Sequence, residues 1–136
     1  MDISDMQKAL LKNIESPDTI DPGVLKVLDY AYRAQRDIQI KIEQPEFTSL
    51  CPISGLPDFG SIMIRYEPND KIVELKSLKY YLLQYRGVGI FYEHLVNRIL
   101  EDLVSFLGPK FMEVVGTFTP RGGITTTARV EYKEEG

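Results

Sequence analysis

Three runs of this chain alternate apolar and polar residues strictly enough to constrain everything between them. Ile38, Ile40 and Ile42 interleave with Asp37, Gln39, Lys41 and Glu43. Ile62 and Ile64 keep the same period across residues 59–66. Ile124, Thr126, Ala128, Val130 and Tyr132 carry it to residue 133, against Thr125, Thr127, Arg129, Glu131 and Lys133. Successive side chains of a strand point to opposite faces, so a period of two marks a strand with one buried face. Residues 110–119 read as a further strand, joined to the last by Pro120-Arg121-Gly122-Gly123, a hairpin signal because of its two glycines.

Between the two strand pairs the period changes. Leu78, Tyr81, Leu82 and Tyr85 share one helical face within residues 75–86. Phe91, Leu95, Ile99, Leu103 and Phe106 make the stripe of a longer helix over 90–107, with Asn97, Arg98, Glu101 and Asp102 outside. Gly87-Val88-Gly89 separates the helices, Gly108-Pro109 ends the second, and so short a linker makes them antiparallel neighbours. Before them, Glu67-Pro68-Asn69-Asp70 is a turn and residues 71–74 are short and extended.

Strand, strand, helix, helix, strand, strand predicts an α+β domain: an antiparallel sheet with two antiparallel helices on one face. Its edges need covering, and side-by-side association into a ring would cover them. Upstream, Ser4 with Gln7 has capping-box spacing, and Met6, Leu10 and Ile14 predict a helix from about Asp5 to Ile14. Ser16-Pro17-Asp18 stops it, and Asp21-Pro22 opens a second short turn or helix through Val24, Leu25, Val27 and Leu28. The reading is one domain over 1–136, with residues 1–36 as an extension on a 37–136 core.

Charge and composition exclude several classes. A net charge of −4 argues against nucleic acid as the main partner, since phosphate binding asks for a basic face. One cysteine and one histidine fall short of a zinc ligand set, so no metal is expected. No apolar run approaches the ~20 residues that span a bilayer. The first residues lack a basic-then-apolar leader, and a lone cysteine forms no internal disulfide; a reducing cytoplasm is the expected home.

The residues with chemical potential centre on Cys51, inside the turn-rich stretch 45–58. A lone cysteine is more often a small buried hydrophobe than a nucleophile, but a loop held by two strands raises the odds of chemistry. Asp58, seven residues on, can fold back toward the thiol, although turn or cap duty alone would explain it. Glu74 and Glu93 flank the helix pair; Glu93 sits in a first helical turn, where the macrodipole favours a carboxylate. In a functional role it would accept two hydrogen bonds from a guanine-like edge. Its neighbour His94 reads as solvated or packed. Lys76-Ser77-Leu78-Lys79 and Arg121 offer a cationic cluster for phosphate, or simply a solvated helix end. No G-x-G-x-x-G dinucleotide fingerprint is present.

Four blocks together resemble the NADPH-dependent 7-cyano-7-deazaguanine reductases of queuosine biosynthesis, in their short single-module form. They are Pro45-Glu46-Phe47-Thr48-Ser49-Leu50-Cys51-Pro52 with Gly55, Pro57 and Asp58; Val73-Glu74-Leu75-Lys76-Ser77-Leu78-Lys79-Tyr80-Tyr81; Phe91-Tyr92-Glu93 with Val96-Asn97; and Phe118-Thr119-Pro120-Arg121-Gly122-Gly123-Ile124. The second block is the family's signature. The resemblance implies a tunnelling fold whose subunits close into rings, commonly decamers of two pentamers, with active sites at subunit boundaries. It implies Cys51 as the nucleophile that forms a thioimide, and Asp58 as the proton donor. Val73, Glu74, Leu75, Tyr92 and Glu93 would bind the deazapurine, and Lys76, Ser77, Lys79 and Arg121 would meet NADPH.

One departure stands out: the family usually has His-Glu where this chain has Tyr92-Glu93. Tyrosine keeps a hydroxyl donor but loses a group that titrates near neutrality. Gly87-Val88-Gly89 also lacks the polar residues expected there. Two other readings stand beside the reductase. One is the related amidinotransferase that acts on the nitrile in tRNA, disfavoured by the signature block and the acidic balance. The other is a non-catalytic deazapurine-binding module.

Overall fold

The computed structural model describes residues 2–136. In chain order it contains α1 (Ile3–Lys12), 3-10 turns at Pro17–Thr19 and Pro22–Val24, β1 (Val27–Asp29), β2 (Ile40–Leu50), β3 (Pro57–Glu67) and β4 (Lys71–Val73). These are followed by α2 (Leu75–Leu83), a 3-10 turn at Gln84–Gly87, α3 (Tyr92–Leu107), β5 (Phe111–Arg121) and β6 (Ile124–Lys133). β2, β3, β5 and β6 form one antiparallel sheet in that order, as the α+β reading expects.

The inward faces of the strands follow from the alternation. Ile62, Ile64 and Tyr66 of β3 stand opposite Gly116, Val114 and Met112 of β5, and the large ones are fully buried. They meet Leu78, Tyr81 and Leu82 of α2 and Leu95, Val96, Ile99, Leu103 and Leu107 of α3 in a single apolar cluster. The β5–β6 hairpin turns on Gly122 and Gly123, both at positive φ, the conformation a two-residue hairpin loop requires.

Several expectations need correction. The stretch 45–58 is mostly strand: β2 runs on to Leu50 and β3 begins at Pro57, leaving only residues 51–56 as loop. Ladder pairing from Phe47↔Gly60 to Leu50↔Pro57 overrides the turn formers. Pro45, which has no N–H to give, falls in a bulge where none is needed. That bulge sets two residues of β2, Pro45 and Glu46, against one of β3, Ser61, between Gln44↔Ile62 and Phe47↔Gly60. It moves the inward set from Ile40, Ile42 and Gln44 to Phe47 and Ser49.

α1 starts earlier than expected because Asp2, rather than Ser4, is its cap, accepting the Asp5 amide at 2.9 Å. Val27 and Leu28 are not helical; they form β1, which pairs antiparallel with β4 in a separate two-stranded sheet. Phe91 precedes α3, and both Phe91 and Phe106 are exposed; Val96 and Leu107 take their places in the buried stripe.

Arg98 and Asp102 are half-buried, contrary to the exposed face expected for them. Tyr81 of α2 donates to Asp102 Oδ2 at 2.6 Å and lies 2.8 Å from the Tyr85 hydroxyl. Arg98 holds the same carboxylate at 2.9 Å and reaches the carbonyls of Pro17 and Ile20 at 3.2 Å. Burial pushes both phenols well above their ordinary range, so they remain neutral donors. A buried hydroxyl bonded to a carboxylate is worth about 1.5–3 kcal/mol. Tyr81→Phe should therefore lower the unfolding free energy by about 2 kcal/mol in urea melts, whereas Tyr80→Phe, on the exposed face of α2, should leave it unchanged.

Candidate active site

The loop after β2 is shaped around its thiol. Cys51 N–H donates to Leu56 O at 2.9 Å, and Gly55 N–H donates back to Cys51 O at 2.8 Å. Gly55 closes the loop at φ +77°, a value that favours glycine. Within this turn the Ser54 amide lies 3.5 Å from Cys51 Sγ. Burial pushes the thiol up, and the Asp58 carboxylate adds to that push. Hydrogen bonds from Ser54 and the Ile53 amide outweigh both, leaving the thiol below its ordinary value.

Cys51, Asp58, Tyr92, Glu93 and Arg121 line one cavity of about 270 Å³, with Pro52, Ile90, Phe91 and Thr126 completing its wall. Asp58 is 5% exposed and comes from β3, directly across from Ser49. Arg121 Nη2 lies 2.5 Å from Asp58 Oδ1, off the axis of a good hydrogen bond, and donates to Pro57 O at 2.6 Å. A buried carboxylate needs such a counter-charge. Ser49 Oγ is fully buried with no partner of its own among the described residues.

Tyr92 opens α3 with its ring stacked on Phe118, centroids 3.7 Å apart and planes 7° from parallel. Burial, and then the Asp58 carboxylate nearby, push its phenol up to about 12; Arg121 opposes this. At neutral pH it is a neutral hydroxyl in the cavity that Asp58 also lines. Glu93 follows on the exposed first turn of α3, lining the cavity where the helix dipole favours a negative charge. His94 packs edge-on against Phe91 outside the cavity.

The other residues singled out in the sequence lie elsewhere on the chain. Val73 is buried in β4, its amide donating to the Tyr66 hydroxyl at 3.1 Å. Glu74 caps α2, accepting the amides of Lys76 and Ser77. Leu75 is exposed. Ser77 is buried, donating to Glu74 O at 2.7 Å and accepting from Lys26 N at 2.9 Å. Lys76 and Lys79 are exposed on α2. None of these six lines the thiol cavity. Arg121, expected beside the lysines, is at Asp58 instead. Sequence reasoning missed Ser49 and Thr126; the inward phase of the last strand marks Thr126, whereas Ser49 turns inward only through the bulge in β2.

Comparisons with known proteins show the family. The family model described as QueF-like protein matches residues 57–136. The chain is 48% identical over 133 residues to a protein named NADPH-dependent 7-cyano-7-deazaguanine reductase from Caldanaerobacter subterraneus subsp. tengcongensis, covering 98% of both chains. A protein of the same name from Caldicellulosiruptor bescii is 48% identical over 97% of this chain and 100% of its own. Another, from Chlorobium chlorochromatii, is 54% identical over 74% of this chain and 86% of its own. The fold matches the crystal structure of the archaeosine synthase QueF-Like in the apo form with a TM-score of 0.63. That match has 22% identity and covers 74% of this chain and 96% of that one. A family model spanning well over half the chain, with relatives near half identical along almost their full length, shows that this chain belongs to the QueF-like family, which includes the NADPH-dependent 7-cyano-7-deazaguanine reductases.

Proposed function

We propose that this chain reduces the nitrile of 7-cyano-7-deazaguanine to the primary amine 7-aminomethyl-7-deazaguanine, a step in making queuosine, with NADPH as reductant. The observation that carries the reading is the joint placement in one cavity of an activated thiol, a buried carboxyl group and the polar side chains of Tyr92, Glu93 and Arg121. The names of the close relatives support it.

A nitrile is a poor acceptor until a nucleophile adds to it. Cys51 Sγ attacks the nitrile carbon and forms a C–S bond, while one π pair of the triple bond moves to nitrogen. The thiol proton passes to Asp58, and Asp58 hands it to that nitrogen, leaving a covalent thioimide. Splitting the reaction this way replaces one hard step by easier ones. The Arg121 guanidinium stands against the Asp58 carboxyl group as its counter-charge, and the neutral Tyr92 hydroxyl lies in the same cavity. NADPH, when bound, supplies the hydride, and two equivalents take the nitrile to the amine.

Glu93 anchors the deazaguanine ring by accepting two of its N–H groups. The exposed ammonium groups of Lys76 and Lys79, in no ion pair among the described residues, suit the phosphates of NADPH. Ser77 already has two partners, so its share in cofactor binding falls to its position beside them. Val73, Glu74 and Leu75 stand apart from the cavity of their own chain. In this reading a second copy brings them to the substrate, in the ring of two stacked pentamers that the open edge strands β2 and β6 allow.

Intact mass spectrometry of the parent with 7-cyano-7-deazaguanine should show a covalent adduct, and added NADPH should be consumed as the amine appears. Cys51→Ala should show neither. No adduct on the parent overturns the reading, and an adduct without NADPH oxidation points to the amidine-forming relatives. Asp58→Asn should slow adduct formation by about 10²-fold or more with ligand binding nearly intact; a parental rate removes the proton-transfer role. The adduct rate should rise with pH as thiolate forms. Because the thiol is held down, its midpoint should fall below the ordinary 9.0.

A further inference from the structure

The N-terminal arm, residues 2–15, has no part in the chemistry above. α1 buries none of its residues, and Ile3 and Met6 are mostly exposed, so the apolar core does not explain its place. What the arm does touch is the thiol loop and the linker before α3. A Cβ built on Gly55 would stand 3.0 Å from Leu10 Cβ, with the Leu10 and Leu11 backbone behind it at 3.3 and 3.4 Å. Gly55 is the residue whose amide closes the loop onto Cys51 O.

Further along the arm, Ile14 Cγ2 would lie 2.5 Å from a Cβ on Gly89, which also faces Pro52 Cα at 3.4 Å. Glu15 then joins the linker in strand fashion: its N–H donates to Gly87 O at 2.8 Å, and its carbonyl accepts from Gly89 N at 3.0 Å. On the linker's other side, Leu50 N donates to Val88 O at 2.9 Å and Ile90 N donates to Leu50 O at 3.2 Å. Glu15, the linker and Leu50 thus form a three-ply ribbon. Cys51 leaves one ply and Phe91-Tyr92 leaves another.

We propose that the N-terminal arm is a positioning element for Cys51, pressing through Leu10 and Ile14 on Gly55, Gly89 and Pro52 to hold the loop in the shape that surrounds the thiol with amides. No arm residue needs to touch substrate. The charged and titratable groups facing the thiol in its cavity are Asp58 of β3, Tyr92 and Glu93 of α3 and Arg121 of β5; the arm's Lys8, Lys12 and Glu15 do not line it. The arm therefore acts on the thiol through loop shape, by how well Ser54 and Ile53 meet Sγ. It gives Gly89 a reason as well: the linker lacks a side chain where Ile14 packs. The inference stands apart from the nitrile reading, because the thiol can be probed with neither substrate nor NADPH present.

The test is the pH dependence of iodoacetamide alkylation of the single cysteine in the full chain, with thermal melts alongside. Gly89→Ala pushes a methyl into Ile14, and Gly89→Ala with Ile14→Ala makes room for it. Met6→Pro breaks α1 independently by removing the Met6 N–H to Asp2 O bond, and touches no core residue. The alkylation midpoint should rise by about half a pH unit or more in Gly89→Ala and in Met6→Pro, since the thiolate is the reacting form. The double variant should return close to the parent. A parental midpoint in both Gly89→Ala and Met6→Pro overturns the proposal. So does a shift in Gly89→Ala that Ile14→Ala fails to reverse. If Gly89→Ala does not fold, Met6→Pro decides alone.

Discussion

One extra residue in β2 sets the phase of the whole site. Side chains alternate along a strand, so the bulge between Gln44 and Phe47 exchanges the faces of everything after it. Without it, Thr48 and Leu50 would turn toward the helices and Ser49 would leave Asp58. With it, Phe47 packs against Tyr85 at 5.8 Å, fixing the end of the α2 segment against the sheet. Leu50 pairs with Val88 and Ile90, and the chain enters the thiol loop already held on two sides. The positions of Cys51 and Tyr92 both follow from that phase.

Buried charge is handled alike in three places. Asp102 sits between Arg98 and the Tyr81 hydroxyl, joining α2, α3 and, through Arg98, the 3-10 turn at Pro17–Thr19. Glu113, on the sheet face away from the helices, is flanked by Arg65 and Arg129. Asp58 has Arg121 and Tyr92. Asp102 takes both its arginine and its phenol on Oδ2, and each oxygen of Glu113 has its own arginine. The third differs: its arginine contact is off-axis, that arginine is half-exposed on a hairpin tip, and the Ser49 hydroxyl across the ladder has no partner among the described residues. A buried carboxyl group with an unfilled acceptor keeps room for a further hydrogen bond, in keeping with the role proposed for it.

The order of elements was legible because periods of two and of about 3.6 survive in single sequences wherever one face is buried. Period cannot show a bulge. The Ile38–Ile42 alternation simply stops at Gln44, and Pro45 looks like a loop residue until its ladder partners are known. The β1–β4 pair was illegible for a related reason: three-residue strands are too short to display a period. Arg98 and Asp102 read as surface because charge usually is, and only the facing tyrosines of another helix draw them inward. Within the site, Cys51, Asp58, Tyr92 and Glu93 could be named together through family likeness. The place of Arg121 could not, since nothing local ties a hairpin-tip arginine to a carboxylate 63 residues earlier.

The chain has a single sulfur of this kind, and the amides that favour its thiolate also make it the side chain most open to peroxide. A sulfenic acid on Cys51 has no second cysteine in the chain to resolve it as a disulfide. Asp58 beside it would repel a sulfinate, but a lone oxidised thiol still waits on an external reductant. Chemistry that depends on one unaccompanied thiolate ties the lifetime of the site to the redox state of its surroundings.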